Sequence, residues 1–239
     1  MRILLLFLLL TMNICAQQNS TVTFLQKRFT ILRVDVDRQH LHLFLRDDSG
    51  APFKTFDALD HWLSTQGRKL IFAMNAGMYE RDFSPVGLFV EGSKELAPLN
   101  LKQGSGNFYL HPNGVFAITN NGAQIVESST FPSIRETTLL ATQSGPMLVI
   151  DGHIHPAFKA DSQSRLFRNG VGIMSPREVV FVISEEPVNF YEFALLFRDK
   201  LHCKNALFLD GTISSLYSTE LKRDDRKMDL GPIIAITGE

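Results

Sequence analysis

Four stretches of the 239-residue chain share one pattern, in which apolar residues run out into glycine and a single polar or charged group. Strands that end this way can present a site from a rigid sheet, because glycine admits a ligand to the backbone and leaves N–H groups free for anionic oxygen. In Phe72-Ala73-Met74-Asn75-Ala76-Gly77-Met78-Tyr79 the amide of Asn75 either caps a turn or donates to a sugar hydroxyl or a phosphate, with Gly77 and Tyr79 beside it. In Gln143-Ser144-Gly145-Pro146-Met147-Leu148-Val149-Ile150-Asp151-Gly152, Ser144 and Gly145 suit ligand contact, whereas Asp151-Gly152 reads first as a hairpin turn. No Gly-x-Ser-x-Gly surrounds Ser144, so it is not a nucleophile elbow. In Arg165-Leu166-Phe167-Arg168-Asn169-Gly170-Val171-Gly172-Ile173 an arginine precedes a strand. Its guanidinium either makes a surface salt bridge or grips a phosphodiester with two parallel bonds, and Arg168, beside the glycines, is the better candidate than Arg165.

The fourth stretch, Ala206-Leu207-Phe208-Leu209-Asp210-Gly211-Thr212-Ile213-Ser214-Ser215, sets a carboxylate directly after four apolar residues. Partial desolvation there raises the pKa and the basicity of Asp210 unless a cation or hydrogen bonds hold it ionised. A structural turn residue is the plain alternative. Ser214 and Ser215, adding polar groups within the same few residues, favour function.

Other chemistries find less support. The seven histidines show no His-Glu-x-x-His spacing, and His153 and His155, two apart, lack an evident third ligand, so they read as loop histidines. Cysteine pairs with zinc spacing are absent. With 24 Lys and Arg against 25 Asp and Glu, and a pI near 6.7, the chain has no electrostatic footprint for nucleic acid or an anionic membrane. Its basic cluster, Lys222 to Lys227, encloses two aspartates and reads as a solvated loop.

The elements that must position these residues begin after a leader. Met1 to Met12 carries one charge, Arg2, followed by eight apolar residues, then a polar stretch from Asn13. That run is too short to span about 30 Å of hydrocarbon and reads as a signal peptide, 1–16, cleaved after Ala16. Lipoprotein processing at Cys15 is the weaker rival, since Met12-Asn13-Ile14 lacks the small residues expected before a lipid-modified cysteine. The mature chain, 17–239, keeps one cysteine, Cys203, which reads as buried and inert. It therefore folds without an internal disulfide.

Alternation over Phe29 to Val36 and His40 to Leu45 predicts two strands joined as a hairpin through Asp37-Arg38-Gln39. Helical spacing of Phe56, Leu59, Trp62 and Leu63 predicts a helix ending near Gly67, and Val188 to Leu201 predicts a second. Short strands are expected at 70–74, 86–91, 108–110, 115–119, 147–150, 178–184, 206–209 and 233–237, with turns at Pro112-Asn113-Gly114 and Asn120-Asn121-Gly122. Strands outnumber helices and no linker or repeat divides the chain. The expectation is α+β: a single domain, a mixed or antiparallel β-sheet-rich core with a few flanking helices. Most of the 19 phenylalanines are expected to fill that core.

Taken in order, the segments resemble the phosphodiester glycosidase family, the domain of the lysosomal enzyme that removes N-acetylglucosamine from its phosphodiester link to mannose. The resemblance runs from about Leu70 to Thr237. Asn75-Ala76-Gly77-Met78 is similar to the family's Asn-Gly-Gly-Phe, and Ser144-Gly145-Pro146-Met147-Leu148-Val149 with Asp151-Gly152 to its Gly-Pro-x-Leu-Val and Asp-Gly. Arg168 matches the arginine before the Ala-x-Gly-Ile strand, Leu209-Asp210-Gly211 with Ser214-Ser215 matches Leu-Asp-Gly-Gly-Gly-Ser, and Gly231-Pro232-Ile233-Ile234 resembles the closing strand. More narrowly, Met74 to Tyr79, Ser84-Pro85-Val86-Gly87-Leu88, Gly106-Asn107-Phe108 and Asp210 to Tyr217 resemble a bacterial branch, secreted or periplasmic. Ala76 and Thr212-Ile213 replace family glycines, so the pocket differs and specificity for N-acetylglucosamine does not carry over.

The resemblance implies a secreted or periplasmic hydrolase cleaving a sugar C1–O–phosphate linkage, with a carbohydrate phosphodiester or envelope glycan as partner and a monomeric chain. Cleavage passes through an oxocarbenium-like state while charge grows on phosphate, an intrinsically good leaving group, so the site needs a cation, N–H donors and one carboxylate more than a protonating acid. The expected catalytic set is Asp210 as carboxylate, Arg168 on phosphate and Asn75. The expected substrate contacts are Gly77, Tyr79, Ser144, Gly145, Gly211, Ser214 and Ser215. A second carboxylate, if required, would be Asp151, Glu80 or Asp82. No organic cofactor is expected and a divalent metal stays open. The alternatives are a catalytically silent glycan or sugar-phosphate binding protein, and a phosphodiesterase that cuts P–O rather than C–O.

Overall fold

A computed structural model describes residues 19–239. The expected leader, its cleavage after Ala16 and Cys15 lie outside the described residues. Within them, three antiparallel sheets surround one core. The first has seven strands in the order Asn19–Phe24, Lys27–Asp35, Glu178–Ser184, Asn169–Ser175, Asn205–Phe208, Met147–Ile150 and His153–Ile154. The second orders Arg223–Asp224, Leu216–Ser218, Lys69–Asn75, Ile233–Gly238 and Leu41–Phe44, and the third Lys94–Ala97, Phe89–Glu91, Thr138–Ser144, Gly114–Thr119 and Gly122–Glu127. This is the sheet-rich α+β domain expected from the sequence.

Each sheet turns one face inward. Val179, Phe181 and Ile183 of the first, Phe72, Met74 and Ile234 of the second, and Phe89 and Phe116 of the third meet in a common cluster. The alternate residues Val180 and Val182 pack outward beneath Phe193 and Phe197, which is why the strand Glu178–Ser184 reads as an unbroken apolar run. The helix Phe56–Thr65, capped by Thr55 accepting from the Ala58 N–H at 3.1 Å, covers the second sheet with Phe56, Leu59 and Leu63. The predicted second helix spans Phe190–Leu195 and continues as a π turn over Leu196–Lys200. It starts later than its apolar spacing suggests because Asn189 and Glu192 form a reciprocal cap, while Val188 bridges back to Leu166.

Two other expectations are corrected. The strands near 29–36 and 40–45 do not form a hairpin: Lys27–Asp35 pairs with Asn19–Phe24 and Glu178–Ser184, and Leu41–Phe44 pairs with Ile233–Gly238. Alternation identifies a strand's buried face and leaves its partner open, and the turn bonds from Arg38 and Gln39 N–H to the Asp35 carbonyl carry the chain between sheets. The segment predicted as a strand at 108–110 is a 3-10 turn, Asn107–Tyr109, that buries Phe108, a short apolar run whose period could not separate the two. Asp151-Gly152 does make a hairpin turn, with φ of 47° and 83°. Cys203 is buried, and desolvation pushes its thiol up to about 12.

Candidate active site

Four strand ends from all three sheets meet at one place. Asn75 closes Lys69–Asn75, Ser144 closes Thr138–Ser144, Arg168 leads into Asn169–Ser175, and Asp210 follows Asn205–Phe208. The ladder between the last two pairs Gly170 with Phe208 and extends one step further through side-chain chemistry. The Leu209 N–H bonds the Asn169 carbonyl at 3.2 Å, and the Asp210 N–H is taken at 3.0 Å by the Asn169 side-chain oxygen. A buried amide thus stands in for a strand partner, and the chain turns away at Asp210.

Asn75 locks the other side of the same residue. Its Nδ2 donates to the Asp210 carbonyl at 3.0 Å, and its Oδ1 accepts from Asn169 Nδ2 at 2.9 Å and from the Ser215 N–H at 3.0 Å. Ser144 Oγ donates to the Leu209 carbonyl at 2.6 Å, Ser214 Oγ to the Asp210 carbonyl at 3.3 Å, and Ser215 Oγ to the Ile213 carbonyl at 2.8 Å. Asn75, Ser144, Asn169 and Ser215 are all fully buried, so these bonds are made in a low dielectric where each satisfied pair rigidifies the next. Asn75 and Asn169 are positioning residues in this geometry. Asn169 is absent from the residues singled out by sequence, although a lone amide opening a strand of valines, glycines and isoleucine was a readable signal.

The Asp210 carboxylate itself has little to hold it ionised. Its one hydrogen bond comes from the Thr212 N–H, at 3.2 Å, and burial pushes its pKa up to about 6. Tyr79 lies within its field. Desolvation first, then the charges of Asp210 and Asp229, raise the Tyr79 phenol, whose hydroxyl donates to the Asp229 carbonyl at 2.6 Å. Gly211 must be glycine, since a Cβ there would lie 2.6 Å from the Phe167 carbonyl oxygen, a backbone atom that cannot yield.

Arg168 is 1% exposed and faces no carboxylate among the described residues. Its Nε donates to the Val188 carbonyl at 2.9 Å, one terminal nitrogen to the Ser164 carbonyl at 3.1 Å, and its Cζ lies 3.6 Å from the centre of the Phe190 ring. Nη1 has no partner. Burial pushes the guanidinium down to about 10, so it remains a cation at neutral pH.

Leu166, Phe167, Lys227 and three residues shortly after Asp210, namely Gly211, Thr212 and Ser214, line a cleft of about 180 Å³. Asn75, Ser144 and Ser215 are fully buried and do not line this cleft, so the contacts with substrate expected of Ser144 and Ser215 are replaced by internal hydrogen bonds. Gly77 and Gly145 serve packing: a Cβ would meet Thr142 Oγ1 at 3.0 Å at the first, and Asn113 Cβ at 2.6 Å at the second. Of the possible second carboxylates, Asp151 occupies the hairpin turn, and Asp82 is held below its ordinary pKa by hydrogen bonds from Ser84, first its hydroxyl and then its N–H. The Glu80 N–H bonds the Ser84 carbonyl in the same exposed loop. Among the described residues no three His, Cys, Asp or Glu side chains converge as a metal-binding group, and no helix is long and apolar enough to cross a membrane.

The model of the phosphodiester glycosidase family matches residues 68–232, which span every strand end described above, and the chain belongs to that family. It is 35% identical over 203 residues to the uncharacterized protein YigE of Escherichia coli (strain K12), covering 85% of this chain and 77% of that one. In fold it is similar to the zebrafish N-acetylglucosamine-1-phosphodiester alpha-N-acetylglucosaminidase catalytic domain auto-inhibited by its pro-peptide, with TM-score 0.63, 14% identity and coverage of 91% and 81% of the two chains. A hypothetical protein from Synechocystis matches with TM-score 0.57 and 13% identity, over 92% of this chain and 61% of its own.

Proposed function

We infer that this protein is a hydrolase of glycosyl phosphodiesters, with Asp210 as its catalytic carboxylate and Arg168 as the cation that meets phosphate. The observation that carries the reading is the pairing of a desolvated carboxylate without a cation and a buried guanidinium without an anion, on neighbouring strand ends. Proteins bury lone charges of this kind at an energetic cost, and functional sites are where that cost is met.

In this mechanism Asp210 accepts a proton from water as the water oxygen bonds to C1 of the sugar. The C1–O bond breaks, and its electron pair leaves with the phosphomonoester, whose growing charge the Arg168 Nη1 and the N–H groups around Gly211 stabilise. With a pKa of about 6, Asp210 is mostly ionised at pH 7 and still basic enough to take the proton. Asn75 and Asn169 hold its backbone from both sides, and the Thr212 N–H bonds the carboxylate. The leader at 1–16 would place this activity in the periplasm or outside the cell.

The test is a panel of sugar-1-phosphate diesters offered to the purified mature protein with and without chelator, run in ¹⁸O water. Label in the sugar is expected. Label in the phosphate would replace the reading with a phosphodiesterase, and binding without turnover would replace it with a binding protein. Asp210→Asn should lower kcat by roughly 10²- to 10⁴-fold with the fold intact, and unchanged turnover would remove Asp210 from the mechanism.

A further inference from the structure

The run Lys222 to Lys227 is not the solvated loop its sequence suggests, since Arg223–Asp224 is a strand, and its cations are in different states. Arg223 is bonded to Asp225 and Glu185, and Arg226 to Asp224 and Asp57. Lys227 has no carboxylate partner among the described residues. It lines the cleft formed with Gly211, Thr212 and Ser214, just after Asp210 in the chain, with its ammonium 5.2 Å from the centre of the Phe167 ring. Of the phenylalanines in the described residues Phe167 alone is exposed, at 42%, and Leu166 beside it is 49% exposed. The same cleft is lined by Thr212, whose hydroxyl makes no hydrogen bond among the described residues, and by Ser214, whose hydroxyl donates to the Asp210 carbonyl. The cleft therefore combines an unneutralised cation, two hydroxyls and an apolar wall within about 180 Å³, enough space for a phosphate with a small substituent.

We propose that this cleft is the phosphate subsite and that Lys227 is its specificity-determining cation, drawn off the Phe167 ring onto a phosphate oxygen, while Phe167 and Leu166 receive the group esterified to that phosphate. The proposal deepens the hydrolase reading and rests on it. Lys227 and Arg168 divide the work. A compact ammonium on a flexible stem reaches outward to capture the anion, whereas the immobile guanidinium is fixed in place for the charge that grows during bond breaking. Lys227 thus governs ground-state binding. Ligands of the site are phosphate mono- and diesters carrying an apolar or ring-bearing substituent, and neutral glycosides are excluded by the lack of an anion for the ammonium.

The experiment titrates the full-length mature protein and its Lys227→Met and Lys227→Arg variants with inorganic phosphate and with phenyl phosphate, by calorimetry at low salt. These probes carry no sugar, so the result does not depend on the substrate's identity or on turnover. Expected are binding of phenyl phosphate more tightly than inorganic phosphate, a loss of about tenfold or more in affinity in Lys227→Met, and recovery in Lys227→Arg, with unchanged melting temperatures because Lys227 has no ion pair to lose. Equal affinity in Lys227→Met, or no binding by the parent protein, would overturn the subsite. For a diester that is hydrolysed, the Lys227→Met variant should show a raised KM with kcat nearly preserved. Equal KM would overturn the subsite and leave the hydrolase standing, whereas Lys227-dependent binding of phenyl phosphate without hydrolysis of any diester would support the subsite and remove the hydrolase.

Discussion

The buried Arg168 and the half-buried Arg223 have opposite surroundings. Arg223 is bonded to Asp225 and Glu185, and Glu185 also accepts from the Thr30 hydroxyl at 2.6 Å. Burial alone would lower its pKa, but these hydrogen bonds outweigh that and raise it. Arg168 is more deeply buried, meets only backbone carbonyls and aromatic rings, and is pushed down to about 10. A charge neutralised within the protein ties elements together: here it fastens the 222–227 loop to the first sheet. A charge left without a counter-ion, on a strand that pairs with the one leading to a desolvated carboxylate, is arranged for an anion that arrives from outside.

The contrast is sharpest in kinetics. Arg168→Lys keeps the charge and loses the fork, and is expected to lower kcat/KM on a hydrolysed diester by roughly 10²- to 10³-fold. Arg223→Lys should leave the same parameter within about twofold. If both variants slow equally, the distinction between a structural and a functional arginine fails.

Stability should show the reverse order. Arg223→Ala strands the charges of Glu185 and Asp225 in a half-buried setting, which we expect to cost on the order of 2 kcal/mol in urea unfolding.

A further test concerns Asp210. Its folded-state pKa of about 6 lies above the ordinary 3.8, so the folded form holds the proton more tightly than the unfolded chain does. Stability is then greatest below about pH 4 as far as this group is concerned, and declines as pH rises through about 6, by about 3 kcal/mol in total. Asp210→Asn removes that decline. It should raise the melting temperature at pH 7 by a few degrees while abolishing turnover. A flat difference between parent and variant from pH 4 to 7 would mean that Asp210 is not desolvated. In the parent enzyme the same titration predicts activity rising with pH through about 6, since the deprotonated carboxylate is the active form.

Strand positions and chemistry-bearing segments were largely legible from local pattern. Apolar runs ending in Asn75 and Asp210 are visible along the chain because a buried strand leaves a composition signature and glycine punctuates its exit, whereas the strand Thr138–Ser144 was missed because Thr142-Gln143-Ser144 breaks its apolar run. Partner choice was not legible: the alternation in 29–36 and 40–45 predicts strands equally well, yet their pairings lie in two different sheets. Asn169 and Lys227 were missed for a related reason. An amide that substitutes for a strand partner and a lysine singled out by its neighbours' ion pairs are defined by contacts across 41 and 60 residues, Asn169 to Asp210 and Lys227 to Phe167.

By itself, then, the sequence determined the building blocks: a sheet-rich α+β chain with a family-defining order of glycine-flanked polar residues and almost balanced overall charge. Tertiary structure alone decided which charges are spent internally and which remain. Whether Arg168, Arg223 or Lys227 is neutralised depends on distances of a few ångströms between segments far apart in the chain, and Coulomb energy and desolvation change steeply over that range.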